Sequence, residues 1–167
     1  MPAPDRALLE LTARVARLEQ LLERRPKTAP APQDTFWALD ELKRRTSRPT
    51  VVYTGTAETA LGEPVEWQMG HDSAALLEED WTVHAPALAA LGHPSRLQIL
   101  QLVARGEATT AAELAHTEGL GTTGQTYHHL RQLVSSGWLR STTKGRHEVP
   151  VERLVPLLVV LAASRPV

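Results

Sequence analysis

The most constraining stretch of this sequence is a pair of short helical signals held apart by a glycine turn. Thr109-Thr110-Ala111-Ala112-Glu113-Leu114-Ala115 reads as a short helix, with Thr109 or Thr110 as its cap and Glu113 placed for a capping box. Glu118-Gly119-Leu120-Gly121 follows as a tight turn in which Gly119 meets a demand for positive φ. Thr122 or Thr123 then caps a further helix, Gly124 to Ser136. Its buried stripe is expected to be Thr126, Leu130, Leu133 and Val134, and its opposite face shows Thr123, Gln125, Tyr127, His128 and Arg131. Helix, glycine turn, helix is the skeleton of a helix-turn-helix.

The flanking sequence extends this unit on both sides. Gly137-Trp138-Leu139-Arg140-Ser141-Thr142 reads as one strand, Thr143-Lys144-Gly145-Arg146 as a turn with a basic tip, and His147-Glu148-Val149 as the return strand. Upstream, Leu88, Leu91, Ile99, Leu100, Leu102 and Val103 mark two helices separated by Gly92-His93-Pro94-Ser95, with Pro94 in the first turn of the second and Gly106 at its end. Downstream, Val151 to Ser164 reads as a very apolar last helix interrupted near Pro156.

Charge is needed to judge what such a unit could bind. The net charge of −1 is far from that of a general polyanion binder, so any nucleic-acid reading rests on where the charge sits. Residues 1–48 carry ten Lys and Arg against seven Asp and Glu, residues 49–95 carry no Lys or Arg and seven acids, and residues 96–167 carry eight against five. Within the last zone, residues 119–147 hold Arg131, Arg140, Lys144 and Arg146, three histidines and no acid. The absence of cysteine excludes disulfides, zinc–thiolate sites and thiol chemistry. No apolar run approaches a membrane span, and the start of the chain lacks a signal-peptide pattern, so the expectation is a cytoplasmic protein with no membrane association.

The N-terminal half is less specific. Leu8, Leu11, Val15, Leu18 and Leu22 follow the spacing of heptad a and d positions, Pro26 ends that helix, and a stiff Pro/Ala linker follows. The helix either forms a short coiled coil that helps dimerise the chain or packs on its own domain. Thr35 to Arg45 reads as a second helix stopped by Pro49. Thr50 to Thr56 and Val65 to Gly70 read as two strands of a hairpin, followed by a helix from Ala74 to Trp81 or beyond. Trp37, Trp67 and Trp81 either line an aromatic pocket for a small effector or serve a minor core between helix and hairpin. His71, Asp72 and His84 match no familiar metal-site spacing.

The pieces LGHPSRLQIL, AELA with YHHLRQL, and GWLRS with KGRHEV, in that order, resemble the winged helix-turn-helix of the ArsR-type repressor superfamily over about residues 85–162. The resemblance implies that the helix holding YHHL enters the major groove and that the wing tip touches phosphates or the minor groove. Carried over by position, Thr123, Gln125, Tyr127 and His128 are candidate base-reading residues, and Arg131, Lys144 and Arg146 candidate phosphate contacts. Their chemistry suits those roles: Gln pairs with an adenine edge, Thr meets a thymine methyl, and cations supply affinity without sequence information. His129 is either a contact or a packing residue. Thr126 stands where relatives place an aliphatic residue.

The chain also departs from that family. Where relatives carry a Cys-containing metal motif, this one has Ala108-Thr109-Thr110-Ala111-Ala112, and the last helix offers only Glu152 in place of Asp and His ligands. No metal or other cofactor is therefore expected, and any effector acts by another route. Relatives dimerise through their first and last helices. Leu154, Val155, Leu157, Leu158, Val160 and Leu161 suit that role, and they equally suit a monomer core.

The fold class expected is mainly α with small β elements (α+β), a winged helix-turn-helix preceded by a short coiled-coil helix and a hairpin segment. The divisions are a helix over 1–25, a linker over 26–34, an acidic helix-plus-hairpin segment over 35–84 and the winged domain over 85–167. The expected function is a homodimeric, sequence-specific regulator binding double-stranded DNA, most simply a repressor. The alternative is a protein-interaction module that kept the fold without binding DNA. An enzyme is not expected. Gly119-Leu120-Gly121-Thr122-Thr123-Gly124 has dinucleotide-motif spacing but follows a helix instead of a strand, and His128-His129 has no carboxylate nearby in sequence.

Overall fold

The computed structural model describes residues 36–166 together with Leu8, Leu11, Thr12, Arg14, Val15 and Arg17. The chain forms two compact units, Met1–Ser47 and Arg48–Val167. In the first, the six described N-terminal residues are helical and exposed, and Thr12 Oγ1 donates to the Leu8 carbonyl at 2.7 Å. Leu18, Leu22 and the linker over 26–34 lie outside the described residues. Helix α1 (Trp37–Arg45) buries no residue, and Glu41 pairs with Arg44 and Arg45 along its surface.

The second unit contains β1 (Thr50–Glu58), β2 (Pro64–Asp72), α2 (Ser73–Glu78), a 3-10 turn (Trp81–His84), α3 (Ala85–Leu91), α4 (Pro94–Ala104), α5 (Ala111–Ala115), α6 (Thr123–Ser135), β3 (Arg140–Ser141), β4 (His147–Glu148) and α7 (Val151–Ala163). The fold is α+β: a winged helix-turn-helix with a long hairpin added. Buried side chains from α3 to α7 form the main core, with Ile99, Leu100, Leu114, Leu120, Leu133 and Leu139 almost wholly enclosed. Trp138 closes this core from the far side of α6. Its Nε1 donates to the Ala87 carbonyl at 2.9 Å, and the Arg153 guanidinium lies 5.2 Å from its ring centroid.

The hairpin is longer than the β-branched stretches alone imply, because the antiparallel pairing continues from Thr50↔Asp72 to Glu58↔Pro64. At the tip, Thr59 Oγ1 accepts from the backbone N–H groups of Leu61 and Glu63. The face bearing Gly55, Ala57, Val65 and Trp67 turns toward α7, where Val65, Leu154 and Val155 make a second small core. Gly55 allows the close approach: a Cβ there would lie 3.1 Å from Val155 Cγ1. Trp67 thus serves packing, but its partner is α7. Trp81 is exposed, with Nε1 bonded to the Leu76 carbonyl, and Trp37 lies in the first unit.

Several local expectations change. The helix expected from Ala74 to Trp81 breaks after Glu78, because the Asp80 carboxylate caps the 3-10 turn through Thr82. The last helix runs unbroken through Pro156. Proline at that position forfeits the bond to the Glu152 carbonyl, while buried Leu154, Val155 and Leu157 anchor both sides. The wing strands are shorter than expected. Gly137 takes a positive φ of 75°, and the N–H groups of Trp138 and Leu139 both bond back to the Leu133 carbonyl. Residues 137–139 therefore finish α6 and fill the core, and strand pairing begins only at Arg140.

Candidate DNA interface

Two reciprocal capping boxes set the geometry of the helix pair. On α5, Thr110 Oγ1 accepts from Glu113 N (3.2 Å), and the Glu113 carboxylate accepts from Thr110 N (2.9 Å) and Thr109 N (2.8 Å). Those backbone donors, Thr109 first and then Thr110, hold the Glu113 carboxyl below the usual glutamate value. On α6, Thr122 Oγ1 accepts from Gln125 N (3.3 Å), and Gln125 Oε1 accepts from Thr122 N (2.8 Å). Between the boxes, Gly119 and Gly121 take φ values of 86° and 84°, and Leu120 drops into the core. A Cβ on Gly121 would collide with Gln125 Oε1 and displace it from the cap, on top of the strain that the positive φ imposes on any other residue there.

Helix α6 then presents two unlike faces. Thr126, Leu130 and Leu133 are buried against the body. Thr126 is fully buried, and its hydroxyl donates to the Thr122 carbonyl at 3.3 Å, which explains how a polar residue occupies an aliphatic position. Val134, expected in the stripe, is instead partly open to solvent. The outer face carries Thr123, Gln125, Tyr127, His128 and Arg131, all exposed. Tyr127 and Arg131 line one groove with Ser141 and His147 of the wing, a space of about 230 Å³ between helix and hairpin.

Gln125 is only partly available. With its Oε1 engaged at the cap, only its Nε2 group is free to donate, so bidentate pairing with adenine would require the cap to open. His129 packs. Its ring lies 4.6 Å from that of His93, and its buried Nδ1 has no partner among the described residues. Burial, followed by His93, Arg96 and His128, lowers its pKa. His93 is fixed in turn by capping α4, its Nδ1 accepting from Ser95 N at 3.2 Å.

The cations divide by role. Arg140 is spent on Glu148 across the wing, its Nε donating at 3.0 Å. Arg146 Nε donates to Thr109 Oγ1, and its guanidinium helps lower the pKa of Glu113, so it lies against the start of α5. Arg131 and Lys144 make no ion pair with the described residues, and Lys144 occupies the exposed wing turn. The sequence offers Thr109 only as a helix cap, and its tie to the wing is what sequence reasoning missed. Its carbonyl accepts from His147 N at 2.6 Å while its hydroxyl takes Arg146, and such a long-range tie leaves no local pattern. Gln125's second role was detectable from the Thr122-x-x-Gln125 spacing. Among the described residues, no group of three or more His, Asp and Glu side chains could hold a metal ion, and no helix is long and apolar enough to cross a membrane.

Fold and exposed helix face together define a winged helix-turn-helix domain. A family model described as a helix-turn-helix domain matches residues 91–142, from the end of α3 into the wing. No curated protein and no solved structure gives a significant match to the chain.

Proposed function

We propose that this chain is a homodimeric, sequence-specific regulator of transcription that places α6 in the major groove and the wing on the flanking backbone. The observation that carries the reading is the outer face of α6: exposed Thr123, Gln125, Tyr127, His128 and Arg131, with no acid from 119 to 147. Thr123, Tyr127, His128 and the free amide of Gln125 read base edges. Arg131 and Lys144 contact phosphates, and Arg146 does so from its anchored position beside Thr109.

Dimerisation is supported by apolar side chains left uncovered on the helices that relatives use: Leu88 on α3, and Leu158, Val160 and Leu161 on α7. Repression is the direction that the resemblance to ArsR-type repressors favours.

Selection of bound duplexes from a random-sequence library tests this. Two recognition helices related by a two-fold axis require an inverted repeat whose half-sites are separated by about 10 base pairs or a multiple. Recovery of unrelated sequences by a monomeric protein would contradict the proposal.

A further inference from the structure

A cavity of about 220 Å³ lies between the hairpin tip and the base of the wing. Val103 of α4 and Val151 and Leu154 of α7 give it apolar walls, and Leu61, largely exposed, borders it from the hairpin. Three charged side chains also line it: Glu63 from the tip, and Arg140 and Glu148 from the wing. The volume is below the ~300–1,000 Å³ of sites for drug-sized ligands, which limits an occupant to a small molecule.

The charge balance says what kind of molecule fits. Arg140 directs both its Nε and Nη2 at one oxygen of Glu148, Oε1, leaving Oε2 without a hydrogen bond from the described residues. The Glu63 side chain has no hydrogen-bond or ion-pair partner among the described residues. The hairpin cannot neutralise it, because residues 49–95 contain no Lys or Arg. Two carboxylates and one arginine, itself paired with Glu148 alone, thus border an apolar wall, an excess of negative charge that suits a cation with a hydrophobic body.

We infer that this cavity is a binding site for a small amphipathic primary amine, its ammonium between Glu63 and Glu148 and its hydrocarbon body against Val103, Val151 and Leu154. Glu148 pairs with Arg140 in the first rung of the wing, and the next residues of that strand, His147 and Arg146, hold Thr109 in front of α5. A bound ammonium competes with Arg140 for Glu148 and loosens that rung. Occupancy therefore weakens duplex binding, a consequence that rests on the regulator reading, whereas binding of the amine does not.

The test is calorimetric titration of the full chain, without DNA, with n-butylamine, cyclohexylamine and benzylamine, each beside the alcohol of the same skeleton. At least one amine is expected to bind saturably at one site, ten-fold or more tighter than its alcohol. Glu63→Gln, on the exposed tip, should cut that affinity at least ten-fold, while Glu58→Gln on the same hairpin should not. Absence of saturable binding by all three amines, equal binding of an alcohol, or an unchanged Glu63→Gln would overturn the site. Repeating the duplex titration with saturating amine separates the two claims. Amine binding with unaltered duplex affinity overturns the coupling alone, and amine binding in a chain that selects no duplex leaves the site standing without the regulator reading.

Discussion

The Nε of Arg146 donates to the hydroxyl of Thr109 at 2.9 Å, tying the wing to the residue just before the cap of α5. A neighbouring bond, from His147 N to the Thr109 carbonyl, doubles the tie. Wing and helix pair are thereby held as one body. Thr109→Val removes the hydroxyl acceptor but leaves every cation in place. Duplex affinity should fall a few-fold while the slope of log K against log salt stays the same. Lys144→Ala should do the reverse, reducing that slope by about 1 and weakening all sequences alike. Binding isotherms at several salt concentrations separate the two.

Under the proposed function, Gln125 links stability to recognition. Gln125→Glu keeps an acceptor at the third helical position, where glutamate also suits the helix dipole, so the thermal midpoint should be nearly unchanged. The added negative charge on the outer face should still weaken duplex binding at least ten-fold. Thr122→Ala, by contrast, removes the cap itself and should cost about 1 kcal/mol of stability in chemical denaturation.

Acid sensitivity divides between His129 and the carboxylates of lowered pKa, Glu113, Glu41 and Asp80. His129 has a folded pKa below its ordinary 6.5, so the folded chain resists its protonation. Stability from this group is intact above 6.5 and falls as pH drops from there through the lower folded value. Glu113 has a folded pKa below its ordinary 4.5, so its contribution is intact above 4.5 and is lost only as pH falls further, through the folded value. Unfolding midpoints measured against pH should therefore decline in two stages. His129→Leu should flatten the upper stage alone, and Glu113→Gln should make the lower one shallower without abolishing it, since Glu41 and Asp80 also contribute there.

The hairpin's seat on α7 can be tested at its closest approach. Gly55→Ala brings a methyl within 3.1 Å of Val155 Cγ1 and should destabilise the chain by about 1 kcal/mol. Val155→Ala should cost about 2 kcal/mol alone, since that side chain is buried. In the double variant the first penalty should largely vanish, a coupling visible in a double-mutant cycle. Purely additive costs would contradict the packing.

Sequence legibility followed the range of the forces involved. The Thr110-x-x-Glu113 box, the Gly119 turn and a threonine cap at 122 or 123 are local devices, and they place α5, the turn and α6 within a residue or two. The wing strands were read too long because Trp138 and Leu139 look like strand residues, yet the core takes them. The seat of the hairpin on α7 depends on residues some ninety positions apart, Ala57 and Val65 against Leu154 and Val155, and no periodicity records that. The same holds within the candidate interface. The exposed face of α6 follows from its helical period, but the diversion of Arg140 to Glu148 and of Arg146 to Thr109 follows only from the folded wing.

The most direct measurement is fluorescence anisotropy of a selected inverted-repeat duplex titrated with the full chain at 50 and 200 mM salt, beside the double variant His128→Ala, Lys144→Ala. The expected result is tight binding that weakens steeply with salt and discriminates against a scrambled duplex. The variant should lose at least ten-fold in affinity and part of the salt slope while keeping the same unfolding midpoint. Equal affinity for selected and scrambled duplexes, unchanged by the variant at both salt concentrations, would contradict a recognition role for α6 and the wing.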